Sequence, residues 1–340
     1  MTHEFKTLVE TALDWQQQQK RLVLATVVHV EGHSYRRPGV RMLISDQGEW
    51  VGAVSGGCVE KEVYRQALQV LESQSPKVMS YDGRLRLGCE GIIYLLLEPL
   101  EINSAFAKAF HQALSSRTTM RIESFYEINS LSNPKETRMG SQLLIEEHVY
   151  PFSTHSANLA TDLECFAMTL PPLFQLYLIG AEHDAVALCK IAAALGWQVQ
   201  VVASPDEQKS IEYFPGAARL LTPAIDQLDT KAIDQQTAVV LMTHSFNKDV
   251  QYLMQLRHTE PAYFGLLGPR HRRERLFEEL LERYPETEPE FLERLHGPAG
   301  INIGAENAAE IAISVLAEIL SVLRDQQPVP LREKTGSIHE

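Results

Sequence analysis

Apolar and polar positions alternate along this chain in two different rhythms, and the rhythm changes near residue 170. In the first stretch, Phe5, Leu8, Val9, Leu13 and Trp15 recur at helical spacing, which predicts a helix over 2–20. The Val-, Leu- and Thr-rich run 21–30 predicts a buried strand. Further strands are predicted over 40–45 and 49–54, a helix over 59–73, and strands over 77–81 and 92–97. Glu98-Pro99 is expected to close the last of these. A helix over 102–114 and a strand over 118–125 follow. From there to about residue 170 the pattern is polar and weak, and the domain boundary is placed there.

After Pro171-Pro172 the rhythm becomes strand, helix, strand. Leu173 to Ile179 reads as a strand ending at Gly180, and 183–195 as a helix closed by Gly196. Strands are predicted over 198–203, 238–243 and 263–267, with helices over 247–257, 270–283 and 305–323. Such alternation implies a doubly wound parallel sheet. The expected class is therefore α/β, with an N-terminal mixed α/β domain (1–170), a C-terminal Rossmann-like doubly wound domain (171–325) and a flexible polar tail (326–340).

At 340 residues, with 44% hydrophobic residues, the chain is long enough for two cores. Its net charge of −13 argues against nucleic acid as a partner. No apolar run reaches the roughly 18–20 residues of a membrane span, and residues 1–6 carry no apolar signal core. Cytoplasm is the expected location. The four cysteines, Cys58, Cys89, Cys165 and Cys189, form no Cys-x-x-Cys pair. Cys189 falls in an apolar helical run and is expected in the core.

Cys58 and Cys89 are different. Ser55-Gly56-Gly57-Cys58 lies between a predicted strand and a predicted helix, the arrangement in which backbone N–H groups and the helix dipole converge on an anion. A thiol there is expected to be acidified and nucleophilic. Cys89 sits in Gly88-Cys89-Glu90-Gly91 before a strand. Arg36, Arg37, Arg41, Arg84 and Arg86 cluster around the same stretches, which in so acidic a chain calls for an anionic ligand. Soft thiolates suit soft metals and sulfur chemistry.

In the second half, Gly180-Ala181-Glu182-His183-Asp184-Ala185 occupies the place of a dinucleotide fingerprint but keeps only its first glycine. Glu182 replaces the glycine that admits pyrophosphate, and Ala203 stands where a ribose-binding acid belongs. A Rossmann-like fold is expected, and ordinary NAD(P) binding is disfavoured. His183 and His244 are expected at the C-terminal edge of the parallel sheet, with Asp184 and Asp249 placed to orient them. Arg270, His271, Arg272 and Arg273 open a predicted helix, where cations oppose the dipole unless an anion or acidic partner is near.

Taken together, Gly32 to Met42, Gly52 to Glu60, Leu87 to Gly91, Leu178 to Asp184, Thr243-His244-Ser245, Gly265 to Arg270 and Gly297-Pro298-Ala299-Gly300 resemble the XdhC/CoxI family. Its members are accessory proteins of xanthine dehydrogenase and related molybdenum hydroxylases. The resemblance implies a chaperone, not an enzyme with turnover of its own. Such a protein binds molybdenum cofactor (molybdopterin), supports its sulfuration and delivers it to the apo-hydroxylase. The implied partners are that apo-enzyme and a cysteine desulfurase, and a homodimer is expected. The implied contacts are Cys58 and Cys89 toward the metal, with Ser55, Gly56, Gly57, Arg36 and Arg41 toward anionic groups. Gly180, His183 and His244 are carried as secondary candidates. Glu90 departs from the family pattern, which has glycine there. The alternative from another class is an NAD(P)-dependent oxidoreductase working through the second domain.

Overall fold

The protein was analysed as a computed structural model that describes residues 1–32, 37–55, 57, 59–83, 91–128, 139–154, 159 and 162–335. The chain divides into two compact units, Met1–Pro172 and Leu173–Glu340.

The first unit is built on a five-stranded antiparallel sheet in the order β3-β2-β1-β5-β4. Its strands are β1 (Leu22–Glu31), β2 (Arg41–Ser45), β3 (Trp50–Gly52), β4 (Lys77–Asp82) and β5 (Ile92–Leu100). β1 is buried over its first seven residues, which explains its unbroken apolar run: both faces of the sheet are covered. On one face Val23, Ala25, Val27, Met42, Ile44, Leu95 and Leu97 pack under α2 (Glu60–Ser73), through Val63, Ala67, Val70 and Leu71. On the other, Leu22, Leu24 and Leu43 meet α1 (Thr2–Gln17) and α3 (Ser104–Ser115) through Phe5, Leu8, Val9, Phe106 and Phe110.

That second core is closed by four antiparallel strands in the order β8-β7-β6-β9: β6 (Met120–Tyr126), β7 (Gly140–Ile145), β8 (His148–Pro151) and β9 (Glu164–Leu170). Three of these, β7, β8 and β9, occupy the stretch before residue 170 whose sequence pattern is weak. β8 is short and largely exposed, and β9 buries only Met168 and Leu170, so neither shows a full alternation. Pro99 does not end β5 as expected. β5 stays paired with β1 as far as Leu100, while β4 releases it at Leu97. Beyond that point no described strand pairs with β5 on the β4 side, where a missing N–H is tolerated.

The second unit carries a parallel sheet in the order β12-β11-β10-β13-β14-β15. Its strands are β10 (Gln175–Ile179), β11 (Gln198–Val202), β12 (Ala217–Leu221), β13 (Thr237–Leu241), β14 (Tyr263–Leu266) and β15 (Leu295–His296). Counted along the chain this is 3-2-1-4-5-6, the dinucleotide-fold order, with its switch point between β10 and β13. α4 (His183–Ala194) and α8 (Ala308–Leu323) cover one face. α5 (Phe246–Leu256), α6 (Arg270–Arg283) and α7 (Pro289–Glu293) cover the other. Cys189 is fully buried among these side chains, and burial pushes its thiol up to about 11, as befits a core residue. No described helix is long and apolar enough to cross a membrane.

Candidate functional site

The strand directions of the first sheet bring three motif-bearing segments to one edge. β1 pairs antiparallel with β2 and β5, β2 with β3, and β5 with β4. The C-terminal ends of β1, β3 and β4 therefore point the same way as the N-terminal ends of β2 and β5. Segments 32–40, 53–59 and 83–91 all leave from that edge. The register anchors this: Glu31 and Asp82 both stand opposite Ile92, and Met42 stands opposite Gly52. At the base of the third segment, the Gly83 N–H donates to the Gly91 carbonyl at 3.0 Å. β3 and β5 are three strand spacings apart, roughly 14 Å. Gly56, Cys58, Arg36 and Cys89, as well as Arg84 and Arg86, lie outside the described residues.

Around Ser55 the described geometry differs from an open anion cradle. The Ser55 N–H donates to Glu60 Oε1 at 2.8 Å and its hydroxyl to Oε2 at 2.7 Å. The N–H groups of Gly57 and Val59 in turn donate to Ser55 Oγ at 3.1 and 3.3 Å. Glu60 is the first residue of α2, so the helix's own carboxylate sits where an external anion was expected. Burial works to raise the Glu60 carboxyl, but the hydrogen bonds from Ser55 and from backbone N–H groups outweigh it and hold it below its ordinary value. The consequence is a braced turn. Gly57 has φ +115°, and a Cβ built there would meet nothing within 4 Å among the described residues.

Arg41 is not at the surface. It is the first residue of β2, only 6% exposed, and lies over the Phe5 ring on the α1 face of the sheet. Its Nη1 donates to the Gly39 carbonyl at 2.9 Å. Burial lowers it to about 10, so it remains a cation at neutral pH. The fully buried Glu98, whose carboxyl burial pushes up to about 7, accepts from the Ser141 N–H and hydroxyl.

In the second unit the fingerprint loop is folded tightly. Gly180 has φ +124°, and a Cβ there would lie 2.7 Å from the Met242 carbonyl oxygen and 2.9 Å from the Thr243 nitrogen. The glycine thus serves the close approach of the loops after β10 and β13. Glu182 stands just before α4 without capping it, and Lys209 pairs with it at 4.0 Å and with Glu207 at 3.6 Å. Lys209 also donates to the Ala181 carbonyl. A paired acid and ammonium therefore stand where a dinucleotide pyrophosphate would need open N–H groups.

His183 and His244 are exposed residues just beyond β10 and β13, at the C-terminal edge as expected. Asp249 does not serve to orient His244 by a hydrogen bond. It is 2% exposed and accepts from the Thr243 hydroxyl at 2.5 Å and from Arg272 Nη2 at 2.6 Å. The cations at the start of α6 thus find partners within the protein: Arg272 pairs with Asp249, Arg270 with Glu274, and Arg273 lies over Phe277. This Thr243–Asp249–Arg272 cluster was only half legible, since Thr243 and Asp249 share a helix start but Arg272 is 23 residues further on. Among the described residues no group of three or more His, Cys, Asp or Glu side chains converges as a metal site.

An antiparallel sheet whose β3–α2 connection is braced at Ser55, Gly57 and Val59 by Glu60, followed in the chain by a parallel sheet of 3-2-1-4-5-6 order, defines a two-domain protein with a Rossmann second half. Residues 15–82 match the family model described as XdhC and CoxI family, and residues 176–319 the model described as XdhC Rossmann domain. The chain belongs to the XdhC and CoxI family. It is similar over 330 residues, at 28% identity, to a Bacillus subtilis (strain 168) protein named as a probable xanthine dehydrogenase subunit, covering 93% of this chain and 96% of that one. It is 26% identical over 333 residues to "Molybdenum cofactor insertion chaperone PaoD" of Escherichia coli (strain K12), covering 96% and 91%. A crystal structure titled as a xanthine dehydrogenase from Bacillus halodurans superposes with a TM-score of 0.76 at 26% identity, covering 96% of this chain and 98% of that one.

Proposed function

We propose that this chain is a carrier in molybdenum-cofactor maturation: it holds the cofactor, keeps it accessible for sulfuration and hands it to a xanthine dehydrogenase-type apo-enzyme. The observation that carries the reading is the shared sheet edge. Strand ends along that edge flank the segments that contain Arg36, Cys58 and Cys89 in the sequence. One chaperone relative whose name specifies cofactor insertion, and another named for xanthine dehydrogenase, support it.

In this reading Cys58 is the principal thiol contact and Cys89 the second. Gly56 and Gly57 let the cofactor approach backbone, and Ser55 holds the turn that presents Cys58. Arg36 supplies positive charge for the terminal phosphate. The Glu60 brace ties down Ser55, whose hydroxyl in turn accepts from the Gly57 and Val59 N–H groups, and ordering these groups in advance lowers the cost of binding. A cysteine desulfurase is the expected sulfur donor in this scheme, and the protein itself carries out no turnover. The alternative, an NAD(P)-dependent oxidoreductase, has the strand order in its favour and the Glu182–Lys209 pair against it.

The test is co-expression with the cofactor pathway, followed by assay of bound molybdenum and pterin. Cys58→Ala is expected to lower both at least ten-fold while the far-UV spectrum stays unchanged. Equal loading of the variant and the wild type would remove Cys58 from the site.

A further inference from the structure

Two charged side chains are enclosed in the core of the first unit, and the cofactor reading uses neither: Glu98 of β5 is 0% exposed and Arg41 of β2 6%. Strand register sets them on one face, a diagonal apart across β1. Leu24 stands opposite both Leu43 and Glu98, and Thr26 opposite both Arg41 and Leu96. On its far side Glu98 accepts from the Ser141 N–H of β7 at 2.7 Å and from the Ser141 hydroxyl at 2.5 Å, and the Ser124 hydroxyl of β6 lies 2.8 Å from that of Ser141. Arg41 donates to the Gly39 carbonyl, the Gly39 N–H to the Val27 carbonyl at 2.8 Å, and the Val27 N–H to the Val40 carbonyl at 2.9 Å. The guanidinium thus grips the chain as it enters β2. Its Nε and Nη2 and the Thr26 hydroxyl are buried without a hydrogen-bond partner among the described residues. A cation so enclosed depends on a counter-charge inside the core.

Glu98 supplies it. Among the described residues of the first unit the buried charged side chains are Arg41, Glu60 and Glu98, and Glu60 belongs to the β3–α2 turn. On the other elements packed here, Lys6 of α1 pairs with Glu10, Arg121 and Glu123 of β6 pair with each other on the opposite face, and Glu164 of β9 bonds to Tyr126. Met1, His3 and Glu4 of α1 line an open pocket beside Arg41, and burial together with the Met1 amino group pushes the His3 imidazole down. Burial pushes the Glu98 carboxyl up to about 7, against the pull of the Ser141 donors and of the Arg41 charge. Withdrawing that charge would raise the carboxyl further, so an arrangement in which Arg41 has let go binds a proton more tightly than the closed one. Proton uptake therefore favours release. We infer that Glu98 is a proton-operated latch: as a carboxylate it keeps Arg41, and through it Gly39, in the closed arrangement, and on taking up a proton it lets them go. The latch does not depend on the cofactor reading.

Hydrogen exchange read by mass spectrometry on the full-length protein reports opening at the peptide spanning residues 38–43, with labelling times scaled to the intrinsic exchange rate at each pH. A rise of about one unit in the Glu98 value on release makes opening roughly five-fold more frequent at pH 6 than at pH 8. Peptides from β13 and β14 are the control and should show no such change. Glu98→Gln, which fixes the neutral form, is expected to exchange fast at both pH values. Where that variant does not fold, Ser141→Ala decides: it keeps the N–H donor, loses the hydroxyl donor, and should move the midpoint of the pH dependence to higher pH. Equal protection at pH 6 and pH 8, the same loss in the control peptides, a wild-type pH dependence in Glu98→Gln, or an unmoved midpoint in Ser141→Ala would each overturn the assignment.

Discussion

Gly180→Ala is expected to destabilise the second unit by roughly 2–6 kcal/mol, through backbone strain of 1–3 kcal/mol and overpacking of similar size. The first contribution arises because φ of +124° is a conformation that L side chains rarely adopt. The second arises because the added methyl would sit 2.7–2.9 Å from the Met242 carbonyl and the Thr243 nitrogen. These are backbone atoms just beyond β13, the strand that pairs with β10, and they cannot swing aside as a flexible side chain would. Thermal unfolding followed by near-UV dichroism should show a lowered transition. Gly57→Ala is the informative comparison. It bears a similar φ of +115° but has no described neighbour within 4 Å, so it should carry the strain alone and fall at the lower end of the range. Equal losses at the two positions would show that packing against β13 is not what Gly180 serves.

Arg272→Met is the second large effect, on the order of 3–5 kcal/mol, because it strands a buried carboxylate. Asp249 keeps only the Thr243 hydroxyl once Arg272 Nη2 is gone. The pH dependence fixes the mechanism. Burial already raises the Asp249 carboxyl above its ordinary value, against the opposing pull of Thr243 and Arg272. Removing the arginine raises it further. A carboxyl whose folded value is raised binds its proton more tightly folded than unfolded, so its penalty grows as pH rises above the unfolded value and fades as pH falls below it. Urea unfolding should therefore show a larger deficit for Arg272→Met at pH 8 than at pH 5, and Asp249→Asn in the same background should recover much of it at pH 8. A deficit independent of pH would mean that Arg272 acts through the packing of its stem beneath Gly268 instead of through charge.

Where burial forced a repeat, the sequence was readable. β1 is apolar throughout because helices cover both faces of its sheet, and α6 was bounded correctly at Arg270 and Arg283. The Rossmann half was legible from strand–helix alternation, and its defective fingerprint from Glu182 alone. β8 and β9 escaped because much of each faces outward, with exposed residues of mixed character; β7 has no exposed residue, but its buried positions include the small Gly140 and Ser141, which weaken the apolar repeat of Leu143 and Ile145. The anion-turn reading of Ser55 to Cys58 underestimated Glu60. A carboxylate at the first position of a helix is an intramolecular competitor for the same N–H groups, and proximity favours it. Arg41 was grouped with Arg36 and Arg37 as an anion ligand because the three lie in one loop–strand unit of an acidic chain. The inward alternation of β2, with Arg41 and Leu43 on one face and Met42 and Ile44 on the other, puts it in the core instead.

Whether the segments at this sheet edge hold molybdenum cofactor is read from metal and pterin stoichiometry. Wild-type protein isolated anaerobically from cells making the cofactor should carry molybdenum and pterin in equal amounts, retained through gel filtration and lost together on denaturation. Protein that elutes with neither, from cells whose molybdenum hydroxylases are fully loaded, would contradict the account.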